Sequence, residues 1–416
     1  MIIKIVIIAA LCFATAFTHA GEIDFSAYYK NFFTVNNTYD PFAYESDAMW
    51  VNLNTLRLNL SYIPSDNYSL NVSYSISPAV SGSGVSSFED STQQNLVEYR
   101  IFDIEKQYGC IGCETVSYAI MQNLDRAYFR ASTQVFDLYA GRQPVALGVS
   151  RVISPTDVIM PFTFDALDTE ERRGVDAFRL RVPLGMMSEI EATYIFGKDA
   201  EMENSAAFLK GRFYALETDF AFTLLEYRNT PLLGFDMMRS IGGAGTWLEA
   251  TYTITMDSDV PRDPEDEVIN KSFLRLSAGA DYSFSDKTYG FFEYHYNGAG
   301  ESNPGTYGNN IAKSAYIEGG VYLMGRHYLT SGGMYRLTPL ITPFAQAMVN
   351  LNDGSFMLSA SIDYSIAQDI YLAAGTFTGI GKTEVDSIGV YPISYYIKSE
   401  FGGYPDMYYA SVRIYF

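Results

Sequence analysis

Residues 409–416 read YASVRIYF, and polarity alternates along that octapeptide to the last residue. Successive side chains of a strand point to opposite sides. Tyr408, Ala410, Val412, Ile414 and Phe416 therefore share one face, and Tyr409, Ser411, Arg413 and Tyr415 the other. Chain termini usually fray, so an amphipathic strand kept to its final aromatic needs a reason. The other end of the chain narrows that reason. MIIKIVIIAALCFATAFTHA (1–20) has one cation, Lys4, then an apolar run from Ile5 to Phe17, then Thr18-His19-Ala20. Small residues at the −3 and −1 positions predict a signal peptide cleaved after Ala20, leaving 21–416 as a single exported domain. The run is shorter than the roughly 20 residues of a spanning helix, and Leu11 before Cys12 does not suit a lipoprotein.

The chain carries a net charge of −20, which argues against nucleic acid and anionic lipid surfaces as partners. Thirty-four tyrosines and 28 phenylalanines against 2 tryptophans form an aromatic load typical of strands. After residue 20 no apolar run reaches the roughly 18 residues that mark a transmembrane helix. An exported chain can nevertheless reside in a membrane as a closed barrel, because closure pairs every backbone donor and acceptor without helices.

The alternation needed for that continues along the whole chain. In LNTLRLNLSYI (53–63), Leu56, Leu58, Leu60 and Tyr62 interleave with Arg57, Asn59 and Ser61, and PSDN then turns the chain. YSLNVSYSIS, SFLRLSAGADYSF, YGFFEYHYNG and SFMLSASIDYSI repeat the pattern. Short joints (63–67, 131–133, 183–188, 284–287, 367–369) alternate with long polar ones (79–119, 150–173, 257–268, 298–325, 381–403), as in outer-membrane barrels. The fold predicted is all-β, a transmembrane antiparallel barrel of about 18 strands, with 16 as the alternative. The first strand is placed at Asp24–Val35, and 93–105 and 314–324 are possible additional strands. The tail, with Tyr408, Ala410, Val412, Ile414 and Phe416 turned to lipid, resembles the C-terminal insertion signal of Gram-negative outer-membrane proteins. That resemblance implies the barrel assembly machinery and outer-membrane lipid as partners.

Chemistry concentrates between 123 and 185. Arg126 and Arg130 lie on one predicted strand, Arg179 and Arg181 on another, each alternating with apolar residues. An arginine turned to lipid at mid-bilayer costs about 2–4 kcal/mol, so these four are placed in the lumen as a basic ladder. Arg142 is added to it with a bulge near Gly141, because strict alternation would set it with Leu138 and Ala140. The intervening loop, 150–173, carries Arg151, Asp157, Asp165, Asp168, Glu170, Glu171, Arg172 and Arg173 around an apolar VIMPF (158–162). It reads as a constriction loop folded inward, its acids set against the basic wall to orient small hydrophilic solutes. The other reading is that these charges hydrate the lumen and pin the loop.

YAGRQPVALG followed by RRGVDAFRLRV resembles the strand–loop–strand of the alginate-export and related porin-like outer-membrane families, through Gly141, Arg142, Gln143, Gly148, Arg173, Gly174, Val175, Asp176 and Arg179. The resemblance covers about 45 residues and implies an 18-stranded barrel; the arginine set does not extend to polyanion export. Cys110 and Cys113 in GCIGC read as a short loop disulfide in an oxidising compartment. Glu114 occupies the place where haem attachment requires histidine. No metal, cofactor or catalytic set is predicted: after cleavage only His295 and His327 remain, and His295 shares its inward face with Glu293 and Asn297. DSDVPRDPEDE (257–267) reads as a solvated acidic loop. Function is expected to be passive diffusion of small hydrophilic solutes. The alternatives are a sheath for a cytochrome or export complex, or a polysaccharide outlet; the oligomeric state is not legible.

Overall fold

The computed structural model describes residues 21–40, 45–82, 99–102, 108–110, 116–255, 272–317, 319–382, 385–388 and 394–416. The proposed signal peptide, the 257–267 loop and the Cys110–Cys113 pairing lie outside what it describes. No helix among the described residues is long and apolar enough to cross a membrane. The chain is instead a closed antiparallel barrel of 18 strands. The first six are β1 (Glu22–Asp40), β2 (Glu45–Ser65), β3 (Tyr68–Gly82), β4 (Val116–Ser132), β5 (Asp137–Pro144) and β6 (Gly174–Pro183). There follow β7 (Glu189–Ile195), β8 (Ala206–Ala215), β9 (Thr218–Tyr227), β10 (Thr230–Ile241), β11 (Ala244–Thr253) and β12 (Phe273–Ser285). The circuit ends with β13 (Thr288–Asn297), β14 (His327–Tyr335), β15 (Ile341–Asn350), β16 (Phe356–Ala367), β17 (Ile370–Ile380) and β18 (Asp406–Tyr415).

Each strand pairs with its sequence neighbours, and β18 closes on β1 from Tyr28 opposite Tyr415 to Asn37 opposite Asp406. The terminal Phe416 completes that seam by exchanging both backbone hydrogen bonds with Ala27, at 2.7 and 2.9 Å. Closure satisfies the two edges that an open sheet would leave unpaired.

The alternation seen in the sequence separates wall from lumen. Leu56, Leu58 and Leu60 of β2 are exposed on the outside, while Arg57 between them is buried inside. Tyr408 and Phe416 are exposed, whereas Ser411 is buried and the Tyr415 hydroxyl bonds an inserted loop, so the tail presents the two faces its sequence predicted. So much outward apolar surface is foreign to a water-facing sheet and matches a lipid-facing band.

One rim has turns as short as residues 66–67, 216–217, 242–243, 286–287 and 368–369; the other carries the long connections, together with the two-residue turn 228–229. Among the described residues, neither possible additional strand joins the barrel wall. Residues 99–102 pack as an irregular segment on β6, Asp176 N–H donating to Tyr99 O at 2.9 Å. The 298–326 connection folds as a 3₁₀ helix (Pro304–Ala312) and a short α-helix (Ser314–Ile317), because its glycines and asparagines favour local turns over a ladder.

Candidate functional site, a loop across the lumen

The connection between β5 and β6, residues 145–173, turns into the barrel and crosses it. Two carboxylates on the far wall hold its first half. Glu249 of β11 accepts from Val149 N and Ser150 N (both 2.8 Å) on one oxygen, and from Thr156 N and Ser154 Oγ (both 2.7 Å) on the other. Glu293 of β13 accepts from Arg151 N and Ile153 N, both at 2.8 Å, with the Trp247 indole N–H at 2.9 Å. Backbone amides stripped of water need acceptors, and a carboxylate can take several. Gly148 allows this approach: its φ is +81°, and a Cβ there would stand 2.0 Å from Ser154 Oγ and 2.5 Å from Glu249. Carbonyls of the same turn are bonded too, Ile153 O by Ser277 Oγ at 2.6 Å and Pro155 O by Arg275 at 2.5 Å.

The middle of the loop is held by packing. Val158 and Ile159 join a buried cluster with Val175, Ile195, Phe208, Leu225 and Leu232, the inward packing expected of VIMPF. Phe164 stacks near Tyr322, Phe401 and Tyr404 from two other folded-in connections. Asp165 lies close enough to Tyr322 and Tyr404 to reinforce the burial that raises both phenols. Asp157 pairs with Arg172 at 2.5 Å; burial, only partly offset by that guanidinium, pushes its carboxyl up to about 6.

The tip reaches the opposite wall. Lys30 of β1, 1% exposed, holds Asp168 at 2.8 Å and Glu170 at 2.6 Å, and the Tyr415 hydroxyl donates to Glu170 at 2.7 Å. Burial alone would raise the Glu170 carboxyl, but the Lys30 and Tyr415 bonds outweigh it and hold it below the ordinary range. Glu171 takes Arg126 and lies 3.6 Å from Arg57, which is bound to Asp125 at 2.7 Å. A β-bulge at Asp125, between Ser73 and Tyr74 on β3, turns Asp125 and Arg126 to the same side.

Four of the five ladder arginines line one wall. Arg130 and Arg179 face each other across the Tyr139 ring of β5, each 5.7 Å from its centroid. Arg179 and Arg181 are bound to Glu191 (2.6 Å) and Glu189 (2.7 Å) of β7, and Arg212 joins Glu189 at 3.1 Å. Carboxylates on the next strand thus sit beside this basic wall.

Arg142 stands apart. It is buried against Asp176 at 2.8 Å and donates to Leu124 O and Phe102 O. The pairing of β5 runs through Gly141 with no register shift, so no bulge forms; the irregularity is a φ of +117° at Gly141. Gly174 lies against the same strand, where a Cβ would meet Asp125 O at 1.9 Å. The GRQ and GVD residues thus form a structural knot where the loop leaves and rejoins the wall. Arg151 is 59% exposed and reaches Asp281 at 3.3 Å, and Arg173 stands at the return into β6. Sequence reasoning missed Glu249, Lys30 and Arg57, and read Glu293 only as an inward neighbour of His295. Their inward parity was visible; their partners, 68 to 142 residues away, were not. His295 bonds Ser277 at 2.8 Å beneath the loop, a buried contact that helps floor the clamp.

No family model and no curated protein matches the sequence. Solved structures do. OpdK of Pseudomonas aeruginosa with vanillate superposes with a TM-score of 0.54 at 7% identity, covering 95% of this chain and 98% of that one. OccK2 of the same species, in complex with glucuronate, gives 0.53 at 9% identity over 95% and 98%. A BenF-like porin from Pseudomonas fluorescens gives 0.54 at 9% identity over 95% and 98%. At such identities the likeness is one of fold: this barrel is similar in architecture, over nearly its whole length, to outer-membrane porins.

Proposed function

We propose that this chain is an outer-membrane channel through which small hydrophilic solutes diffuse passively. The observation that carries the reading is the loop spanning the lumen, fixed at both walls, which narrows a closed barrel. A cavity of about 710 Å³ remains between the loop tip and strands β1 and β16–β18, within the roughly 300–1,000 Å³ of small-molecule sites. The similar structures were solved with vanillate and glucuronate, both small and hydrophilic, which supports the same scale of cargo here. The crossing loop occupies the space that a protein or polymer passenger would need, which weighs against a sheath or a polysaccharide outlet. The likeness of 123–185 to alginate-export-type barrels belongs to the structural knot around Arg142 and Asp176 and not to cargo. Export through the cleaved segment 1–20 and assembly through Phe416 complete the proposal. It includes a lumen whose wall, Arg126, Arg130, Arg179 and Arg181, biases passage by charge. Liposomes bearing the purified protein should swell in arabinose faster than in a trisaccharide. Equal, background-level swelling in both would overturn the proposal.

A further inference from the structure

The cavity beside the loop tip carries a charge pattern unlike that of the arginine wall. Its lining includes Asp168 and Glu170 from the loop, Asp363 of β16, Asp369 in the β16–β17 turn, and the rings of Tyr371, Tyr409 and Tyr415. Four carboxylates line it against one cation, Arg413, which pairs with Asp363. The partition of exposure matters more than the count. The Asp168, Glu170 and Asp363 side chains are 36%, 43% and 43% exposed, while Lys30, which holds the first two, is 1% exposed and Arg413 28%. The neutralising lysine is therefore covered by the loop, and apart from Arg413, held by Asp363, the polar faces left to a solute are mainly carboxylate and phenol. Ring faces in this region already accept cations: Lys30 lies 4.5 Å from the Tyr28 centroid and Arg413 5.9 Å from that of Tyr371. Carboxylates backed by aromatic faces attract a desolvating organic cation by charge and by the ring quadrupole together.

Building on the channel reading above, we propose that this cavity is a subsite for small organic cations, so that the channel favours amine-bearing solutes over anions. Asp168 and Glu170 attract the ammonium group from the loop side, Asp363 and Asp369 from the β16–β17 side, and the tyrosines take up its carbon atoms. Arg130, Arg179 and Arg181 stand outside this lining, each paired with a carboxylate of its own, so none of them offsets the charge of the cavity.

The test is the reversal potential of purified protein in planar bilayers under a choline chloride gradient, with choline as the probe. The proposal expects choline to permeate several-fold better than chloride. Asp363→Asn with Asp369→Asn, which leaves the Lys30 clamp untouched, should reduce that ratio several-fold; Asp168→Asn with Glu170→Gln should reduce it independently. A conducting channel that prefers chloride, or one whose ratio neither double variant moves, overturns the subsite and leaves the channel reading standing. Absence of conductance from folded wild-type protein overturns both.

Discussion

Replacing Glu249 with glutamine should loosen the crossing loop and widen the channel. The substitution keeps the volume of the side chain but leaves one acceptor oxygen where there are two. In the native clamp each oxygen takes two donors, Val149 N and Ser150 N on one, Thr156 N and Ser154 Oγ on the other, all at 2.7–2.8 Å. Whichever way the amide turns, the two donors on one side lose their acceptor and face an NH₂ group. At about 1.5–3 kcal/mol for each hydrogen bond to a charged partner, the docked loop loses roughly 3–6 kcal/mol. Since about 1.4 kcal/mol is tenfold in an equilibrium constant, the docked-to-undocked ratio should fall by roughly 10²–10⁴. Single-channel recording is the assay: the variant should show larger unitary conductance, or rapid transitions to a larger level. Circular dichroism must confirm that the barrel has folded. Wild-type conductance and quiet open-channel current in the folded variant would refute the reasoning, because Glu249 would then not be what holds the loop.

Other expectations follow from the same structure. Glu400, in the connection before β18, is buried with Tyr328 Oη (2.5 Å), Met324 N (2.8 Å) and Asn350 Nδ2 (2.7 Å) donating to it. Burial, partly offset by these donors, raises its carboxyl from the ordinary 4.5 to about 7. A raised carboxyl favours the docked state while protonated, so docking should weaken as pH rises through that window and level off above it. Amides of 398–404 should exchange faster at about pH 8 than at about pH 5, after correction for intrinsic chemistry, and Glu400→Gln should flatten the difference. Replacing Arg179 and Arg181 with alanine should move permeability a few-fold toward cations, since Glu189 and Glu191 keep their charge; an unchanged ratio would reduce the ladder to structure. Deleting Phe416 removes the last two hydrogen bonds of the seam to Ala27 and should lower the amount of assembled barrel in outer membranes; wild-type levels would count against a signal at the tail.

The barrel was legible because a lipid-facing wall imposes one rule on every strand. Leu56, Leu58 and Leu60 point out and Arg57 points in for the same reason as Phe416 and Arg413, and the alternation of short and long joints then supplied the count. The faces of Arg126, Arg130, Arg179 and Arg181 followed from the cost of the alternative. Arg142 did not, because one positive φ at Gly141 and the bulge at Asp125 alter local geometry without leaving a period-two signature. The clamp was hidden for a different reason. Glu249 and Glu293 look like any lumenal acids until folding brings a loop 93–142 residues earlier in the chain against them. Alternation reports which side a residue faces; it is silent about which of the many facing residues will meet.

As proposed, this barrel conducts and its own loop sets the aperture. Purified wild-type protein in planar bilayers tests it most directly. A conducting barrel gives discrete, reproducible conductance steps at low voltage, enlarged when the Glu249 clamp is broken. Folded protein that inserts and passes no current would contradict it.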